Sequence, residues 1–578
     1  MNKVSWMMGG QAGFGIVNAG VVFSRCCSRG GLHVFDRTSY PSLIRGGHNN
    51  LHVRVEDEQI HSHIRPIDIL VALNKETVDK QKGRLNDDAV IIYDPDDFTV
   101  SEADFPKKVV LCPVNLLKIA EEKGLKIMRN TVAIGATLGL LDYPFSYLEK
   151  VLTDMFQRKG DKVVASNVAV AKAGYDVAKE TCASKCKFKL QPVDGQPKRF
   201  IVSGAEAIGI GAIKAGVKMV SGYPMTPGTP SMEFIASKES EYGIVIKHTE
   251  DEIAAMAMMS GAGFAGIRSF NATAGGGFAL MSEALSMAGM VETPVVSLIA
   301  MRGGPSTGLP THTEQSDLDF VLYTGHGEFP RIVVAPGDPE DAFYDTFKLF
   351  NLAEKYQCPG LILSDKHLQT SHQALEFYDH KDMKVERGKL LSDSEVAKNT
   401  ETRFKRFAFT DDGVSPRVLP GQKGGIHRVT GNEHDEYGLT TEDPDNRRKM
   451  VEKRLKKIET MMPEIPLPVL YGAEDADMTV ICWGSTKGMA LEAMKWLEKE
   501  GKKVNVLHFT WLCPFPAVAV KEIIGNCKRL LLVEQNATSQ FGRLLREKCL
   551  IDIPDKLLKY DGSPFYPEEI YDKVKSLI

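Results

Sequence analysis

Hydrophobic positions come in short blocks along this chain. Residues 4–8, 69–73, 89–93 and 109–111 are apolar runs of strand length. Between them, residues 16–26, 131–141 and 167–179 carry apolar positions at helical spacing. Near-continuous apolar runs alternating with helices are the pattern of a parallel sheet covered on both faces. An α/β domain is therefore predicted over residues 1–185, followed by a polar, lysine-rich linker at 186–199. The alternation resumes over 200–390, with strands at 217–221, 243–247, 294–300, 331–335 and 360–364 and helices starting near 232, 252 and 279. Residues 391–470 are charged and lack periodicity, apart from one exposed helix expected at 445–461. A last α/β segment spans 471–578, with strands at 478–483, 503–509 and 529–534 and a helix at 487–499. The expected fold class is α/β, in three α/β domains.

At 578 residues the chain is too long for one core. A formal charge of −4 with no long basic block makes nucleic acid an unexpected partner. No apolar run is long enough to span a bilayer, and residues 1–9 lack the pattern of a signal peptide, so a cytoplasmic protein without a membrane partner is expected. The ten cysteines include no C-x-x-C pair. Free thiols are the expectation, with no metal site and no iron–sulfur cluster on this chain.

The candidate chemistry lies where predicted strands give way to helices. Residues 221–230 read Ser-Gly-Tyr-Pro-Met-Thr-Pro-Gly-Thr-Pro. The three prolines forbid helix and central strand there, leaving a rigid loop that carries Tyr223, Pro224 and the hydroxyl of Thr226. Glu252 opens an almost featureless Ala/Met/Gly helix. Thr249-x-x-Glu252 reads as a capping box, yet a carboxylate at so apolar a helix mouth requires a partner. Gly275, Gly276 and Gly277 start the next helix and let backbone approach a ligand closely. Arg302-Gly-Gly, followed by hydroxyls up to Thr311, suits a small carboxylate. His312, Glu314 and Asp317 have the residue types of metal ligands, but their loop setting beside Pro310 argues against a metal. Thr226, Glu252 and Arg302 with Thr311 fall on the carboxyl edge of one predicted sheet, the edge that holds ligands in open α/β folds.

Taken together, Tyr223-Pro-Met-Thr-Pro227, the Glu252 helix, the segment from Arg302 to Thr311 and Glu314-Gln-Ser-Asp-Leu318 resemble the α subunit of 2-oxoacid:ferredoxin oxidoreductases. The resemblance spans essentially the whole chain. Gly9-Gly-Gln-Ala-Gly-Phe-Gly15 and residues 39–50 look like the family's γ domain fused ahead of α, and residues 533–543 are similar to its transketolase-like C-terminal domain. The domains implied are γ-like (1–185), thiamine-diphosphate pyrimidine-binding (200–390) and transketolase C-terminal-like (471–578). The resemblance implies that Glu252 bonds the pyrimidine N1′ of thiamine diphosphate. It assigns Arg302 to the 2-oxoacid carboxylate with Thr226 and Thr311 donating hydrogen bonds, and Tyr223, Pro224, Gly275 and Gly276 to the cofactor region. Arg45 would face coenzyme A.

The chain has Met225 and Gly228 where family members more often carry Ile and Ser or Ala. It also contains no Gly-Asp-Gly, the segment with which thiamine enzymes hold diphosphate and Mg²⁺. The resemblance therefore implies a separate β subunit bearing Mg²⁺, the diphosphate contacts and a [4Fe–4S] cluster, in an (αβ)₂ heterotetramer that passes electrons to ferredoxin. The implied reaction converts a 2-oxoacid, first 2-oxoglutarate, and coenzyme A to acyl-CoA and CO₂. Pyruvate, branched-chain and aryl 2-oxoacids stand as alternatives, as does a non-catalytic transketolase-like scaffold.

Overall fold

The structure, a computed structural model, describes residues 2–42 and 46–578. Contacts divide it into two units. One comprises the chain up to Ser203 with Thr370–Asp379 and Tyr566–Glu569; the other comprises Gly204–Gln369, His380–Phe565 and Ile570–Ile578.

The first unit is built on an eight-stranded sheet. Its strands run Val109–Pro113, Leu85–Tyr93, Ile67–Ala72, Lys3–Gln11, His48–Glu56, His33–Ser39, His372–Glu376 and Arg199–Ser203. The four strands from Val109–Pro113 to Lys3–Gln11 are mutually parallel, as the apolar runs predict. The other half is antiparallel, which the apolar pattern does not show. The reason is compositional: the hairpin strands 33–39 and 48–56 bury Asp36, His48, His52 and Arg54, so they do not read as hydrophobic. Two further expectations are corrected. The stretch taken as a linker lies along this unit, with Leu190 fully buried and Val193 N–H donating to Gly30 O at 2.8 Å. Cys112 and Cys182 form a disulfide where free thiols were expected; the strand end and the C-terminus of helix Asp161–Thr181 bring their Cα atoms to 5.7 Å.

The second unit holds two sheets. The larger has strands Trp511–Cys513, Ile332–Val334, Gly360–Asp365, Val296–Met301, Ser269–Thr273, Met219–Gly222 and Val245–His248, all parallel except the first. The smaller orders Val469–Tyr471, Val504–Phe509, Met478–Trp483, Leu530–Glu534 and Lys556–Leu558. Helix Gly204–Lys214 packs closely on helix Pro339–Tyr356, because a Cβ on Gly211 would lie 2.6 Å from Phe343 O. The helix expected from 232 begins at Thr229, with proline in its first turn, where the missing N–H costs nothing.

Helix Pro444–Met461 is not the exposed helix that its charges imply. Lys453, Arg454 and Lys457 are buried. Lys453 and Lys457 place their Nζ atoms 2.6 and 2.5 Å from the two carboxylate oxygens of Glu292, and Arg406 donates to the Glu292 carbonyl at 2.8 Å. Burial alone raises a carboxyl's pKa, but these three cations outweigh it and hold Glu292 well below the usual carboxylate range.

Candidate active site

Four loops leave the carboxyl ends of adjacent parallel strands in the larger sheet of the second unit. They follow Met219–Gly222, Val245–His248, Ser269–Thr273 and Val296–Met301, and carry Thr226, Glu252, Gly275–Gly277 and Arg302 respectively.

The Glu252 helix, Glu252–Phe264, is capped by Asp251, whose Oδ1 accepts from Ala254 N–H at 2.7 Å. The expected Thr249 capping box does not form. Thr249 instead donates its hydroxyl to Asp251 O at 2.8 Å. Glu252 is thereby released from any capping duty. It is 3% exposed, and its Oε1 is buried without a hydrogen-bond partner. A Cβ on Gly277 would lie 2.6 Å from that oxygen and 2.2 Å from Thr273 Oγ1, so glycine is required for the carboxylate to sit where it does. A buried carboxylate oxygen with no donor is costly. A ligand N–H at this position removes the cost.

The other residues are tied to one another along the same edge. A Cβ on Gly228 would meet Thr273 O at 2.8 Å, which ties the proline loop to the Ser269–Thr273 strand end. Arg302 Nη1 donates to Thr226 O at 2.5 Å. Burial lowers the Arg302 pKa, with Asp317 opposing. A Cβ on Gly275 would lie 2.5 Å from Asp317 Oδ2, so that carboxylate rests against the glycine loop. Burial and the neighbouring Glu314 raise Asp317 to about 6, against the pull of Arg302. Glu314 is itself raised by burial, and its Oε1 would be 3.0 Å from a Cβ on Gly303.

The structure thus brings Thr226, Glu252, Gly275 and Arg302 onto one sheet edge. Tyr223 and Pro224 are exposed on the same loop as Thr226, and Gly276 is exposed with open space around its Cα. Thr311 is buried, and its hydroxyl faces His312 Nδ1 at 3.4 Å rather than Arg302 or Thr226. Arg45 lies outside the described residues. Two acids that sequence reasoning set aside as metal ligands come near the arginine's loop: Glu314 rests against Gly303, and Asp317 acts electrostatically on Arg302. Their position four residues and one residue before helix Leu318–Tyr323 gave no hint of which group they would face.

Among the described residues no helix is long and apolar enough to cross a membrane. Three families match successive parts of the chain. They are pyruvate ferredoxin/flavodoxin oxidoreductase over residues 5–177, the thiamine-diphosphate-binding part of pyruvate flavodoxin/ferredoxin oxidoreductase over 210–453, and core domain II of pyruvate:ferredoxin oxidoreductase over 476–555. The chain is 33% identical to subunit alpha of a 2-oxoacid:ferredoxin oxidoreductase from a Sulfolobus species, over 100% of this chain and 97% of that one. It is 28% identical to the 2-oxoglutarate oxidoreductase subunit KorA of Mycobacterium tuberculosis, over 97% and 89% respectively. Among solved structures, 2-oxoglutarate:ferredoxin oxidoreductase from Magnetococcus marinus, with 2-oxoglutarate, coenzyme A and succinyl-CoA bound, superposes with a TM-score of 0.92 at 33% identity, covering 100% of this chain and 99% of that one. With its thiamine-diphosphate-binding segment spanning the loops just described, the chain belongs to the 2-oxoacid:ferredoxin oxidoreductases as an α subunit.

Proposed function

We propose that the edge carrying Thr226, Glu252 and Arg302 is where this α subunit holds thiamine diphosphate and 2-oxoglutarate, producing succinyl-CoA and CO₂ with coenzyme A and sending two electrons singly to ferredoxin. The observation that carries this reading is the buried, partnerless Oε1 of Glu252 beside Gly277. That oxygen fits the protonated N1′ of an aminopyrimidine ring, with Gly275 and Gly276 leaving room for its approach and Tyr223 and Pro224 at the rim. When bound, thiamine diphosphate supplies a carbon nucleophile that adds to the keto carbon and accepts the electron pair left by CO₂. Glu252 holds the proton at N1′, a positioned transfer worth about 10²–10⁴ in rate. Arg302, already fixed by its bond to Thr226 O, orients the substrate carboxylate. Thr226 offers a hydroxyl to the same group, and Thr311 does so once it turns from His312. Arg45 is assigned to the coenzyme A side.

A β subunit completes the enzyme in this reading, contributing Mg²⁺, the diphosphate contacts and a [4Fe–4S] cluster in an (αβ)₂ heterotetramer in the cytoplasm. Two features support a partner at this edge. Ile253, Met258 and Phe264 leave an apolar stripe exposed along the Glu252 helix, and the edge strand Val245–His248 shows Val245 to solvent. The likeness to the M. marinus enzyme and to KorA favours 2-oxoglutarate as the acid. The proposed division of labour is γ-like for residues 1–185, pyrimidine-binding for 200–390 and transketolase C-terminal-like for 471–578.

The test is steady-state reduction of a viologen dye by the co-expressed αβ complex, with coenzyme A and a panel of 2-oxoacids. The highest kcat/KM is expected for 2-oxoglutarate. A higher value for pyruvate or a branched-chain acid replaces the substrate assignment, and no reduction with any acid overturns the reading.

A further inference from the structure

The smaller sheet of the second unit is joined to the substrate edge by a clasp that no part of the mechanism above uses. Gln315 stands between Glu314 and Asp317 and is fully buried. All four of its polar groups are bonded to residues far along the chain. Its N–H donates to Gln535 O at 2.7 Å, and its Oε1 accepts from Gln535 N–H at 2.9 Å. Its Nε2 donates to Trp483 O at 2.8 Å, and its carbonyl accepts from Asn536 Nδ2 at 2.9 Å. The same Asn536 Nδ2 donates to Glu534 Oε1 at 2.7 Å, an oxygen also bonded by Trp483 Nε1 and Phe541 N–H. Gln540 repeats the device one step on, donating to Ser316 O at 2.7 Å and accepting from Asp319 N–H at 3.1 Å. Thr313 N–H donates to Gly562 O at 3.0 Å.

The segment 313–319 therefore has its geometry dictated from outside its own sheet. The same segment carries Glu314, which rests against Gly303 next to Arg302, and Asp317, which abuts Gly275 and acts electrostatically on Arg302. Arg302 is in turn fixed on Thr226.

We infer that Gln315, Asn536 and Gln540 are positioning residues for the 2-oxoacid: through Glu314 and Asp317 they set where the Arg302 guanidinium meets the substrate carboxylate. This rests on the assignment of Arg302 to that carboxylate. A purely structural clasp would hold the smaller sheet in place and leave substrate affinity alone.

The experiment uses the assembled αβ complex with 2-oxoglutarate as probe. Asn536→Ala removes the donor to Gln315 O, and Gln540→Ala removes the pair to Ser316 and Asp319 without touching Gln315. Val480→Ala, in the core of the smaller sheet, is the matched destabilising control. Small misplacements of a binding group carry large penalties. For each clasp variant the 2-oxoglutarate KM is expected to rise about tenfold or more. The fall in kcat is expected to be smaller, and the thiamine diphosphate concentration for half-maximal activity to change by less than about twofold. Val480→Ala is expected to lower the unfolding temperature with KM unchanged. The inference is overturned if the clasp variants lower the unfolding temperature as the control does and leave KM where it was. It is also overturned if KM rises equally in Val480→Ala. Should Asn536→Ala fail to assemble, Gln540→Ala decides by the same readings. Failure of the Arg302 assignment is distinguished by Arg302→Ala itself, which would then leave the 2-oxoglutarate KM unaltered.

Discussion

Glu252 and Glu292 lie in the same unit and are 3% and 1% exposed, yet they are treated in opposite ways. Around Glu292 the fold gathers Lys453, Lys457 and Arg406, two of them from a helix more than 160 residues later. Around Glu252 it places Gly277 and Thr273, and leaves Oε1 without a donor. A buried charge that serves the fold is neutralised by the fold. In the proposed reading, Glu252 is left for a ligand to complete. Burial alone does not separate the two cases; the identity of the facing atoms does.

The sharpest way to break this contrast is to neutralise each carboxylate in turn. Glu252→Gln is expected to reduce turnover of the αβ complex by about 10²–10⁴ while its unfolding temperature stays level or rises. Steady-state assay beside calorimetry reads both, and a drop in stability with turnover retained would reverse the assignment. Glu292→Gln should do the opposite. It strands Lys453 and Lys457, and is expected to cost about 3–5 kcal/mol of stability, seen in denaturant unfolding, with the 2-oxoglutarate KM unmoved. Arg302→Ala comes next in size. Loss of a charged hydrogen-bonding partner is expected to raise the 2-oxoacid KM about a hundredfold, and Arg302→Lys should restore only part because a single ammonium cannot form the two-pronged contact.

The smallest effect is a titration. The folded-state pKa of Glu292 lies below its unfolded value of about 4.3, so its contribution is fully present above that value and is lost as pH falls through the folded value. The stability gap between the native chain and Glu292→Gln is therefore expected to narrow as pH falls below about 4. A gap that stays unchanged down to about pH 2 would show that the carboxylate is not the group responsible.

Much of the candidate site was legible because its sequence is punctuated. Prolines around Thr226, glycines after Asn271 and Gly-Gly after Arg302 mark loops at strand ends, and those residues cannot be mistaken for helix or sheet interior. The parallel halves of the sheets were legible for a similar reason, in the apolar runs at 69–73 and 294–300. Long-range polar pairing was not. Helix Pro444–Met461 reads as solvated because its lysines are indistinguishable, in sequence, from surface lysines until Glu292 is placed opposite them. Strands 33–39 and 48–56 were hidden by Asp36, His52 and Arg54; the first two find partners on other strands, His372 and Ser5, and Arg54 pairs with Glu56 two residues along its own strand. Gln315 and Asn536 are about 220 residues apart, and no local spacing announces that one will close on the other.

Strand His372–Glu376 sits between His33–Ser39 and Arg199–Ser203 in the first sheet, though the whole of 204–369 intervenes in sequence. The first unit is thus not severable by a single cut. A polypeptide ending at Ser203 would leave the backbone of His33–Ser39 with a raw margin, open to pairing with another copy, and would strand Arg199–Ser203 with no neighbour. Any working dissection must carry residues 370–379 along, grafted behind Ser203 as a short hairpin return.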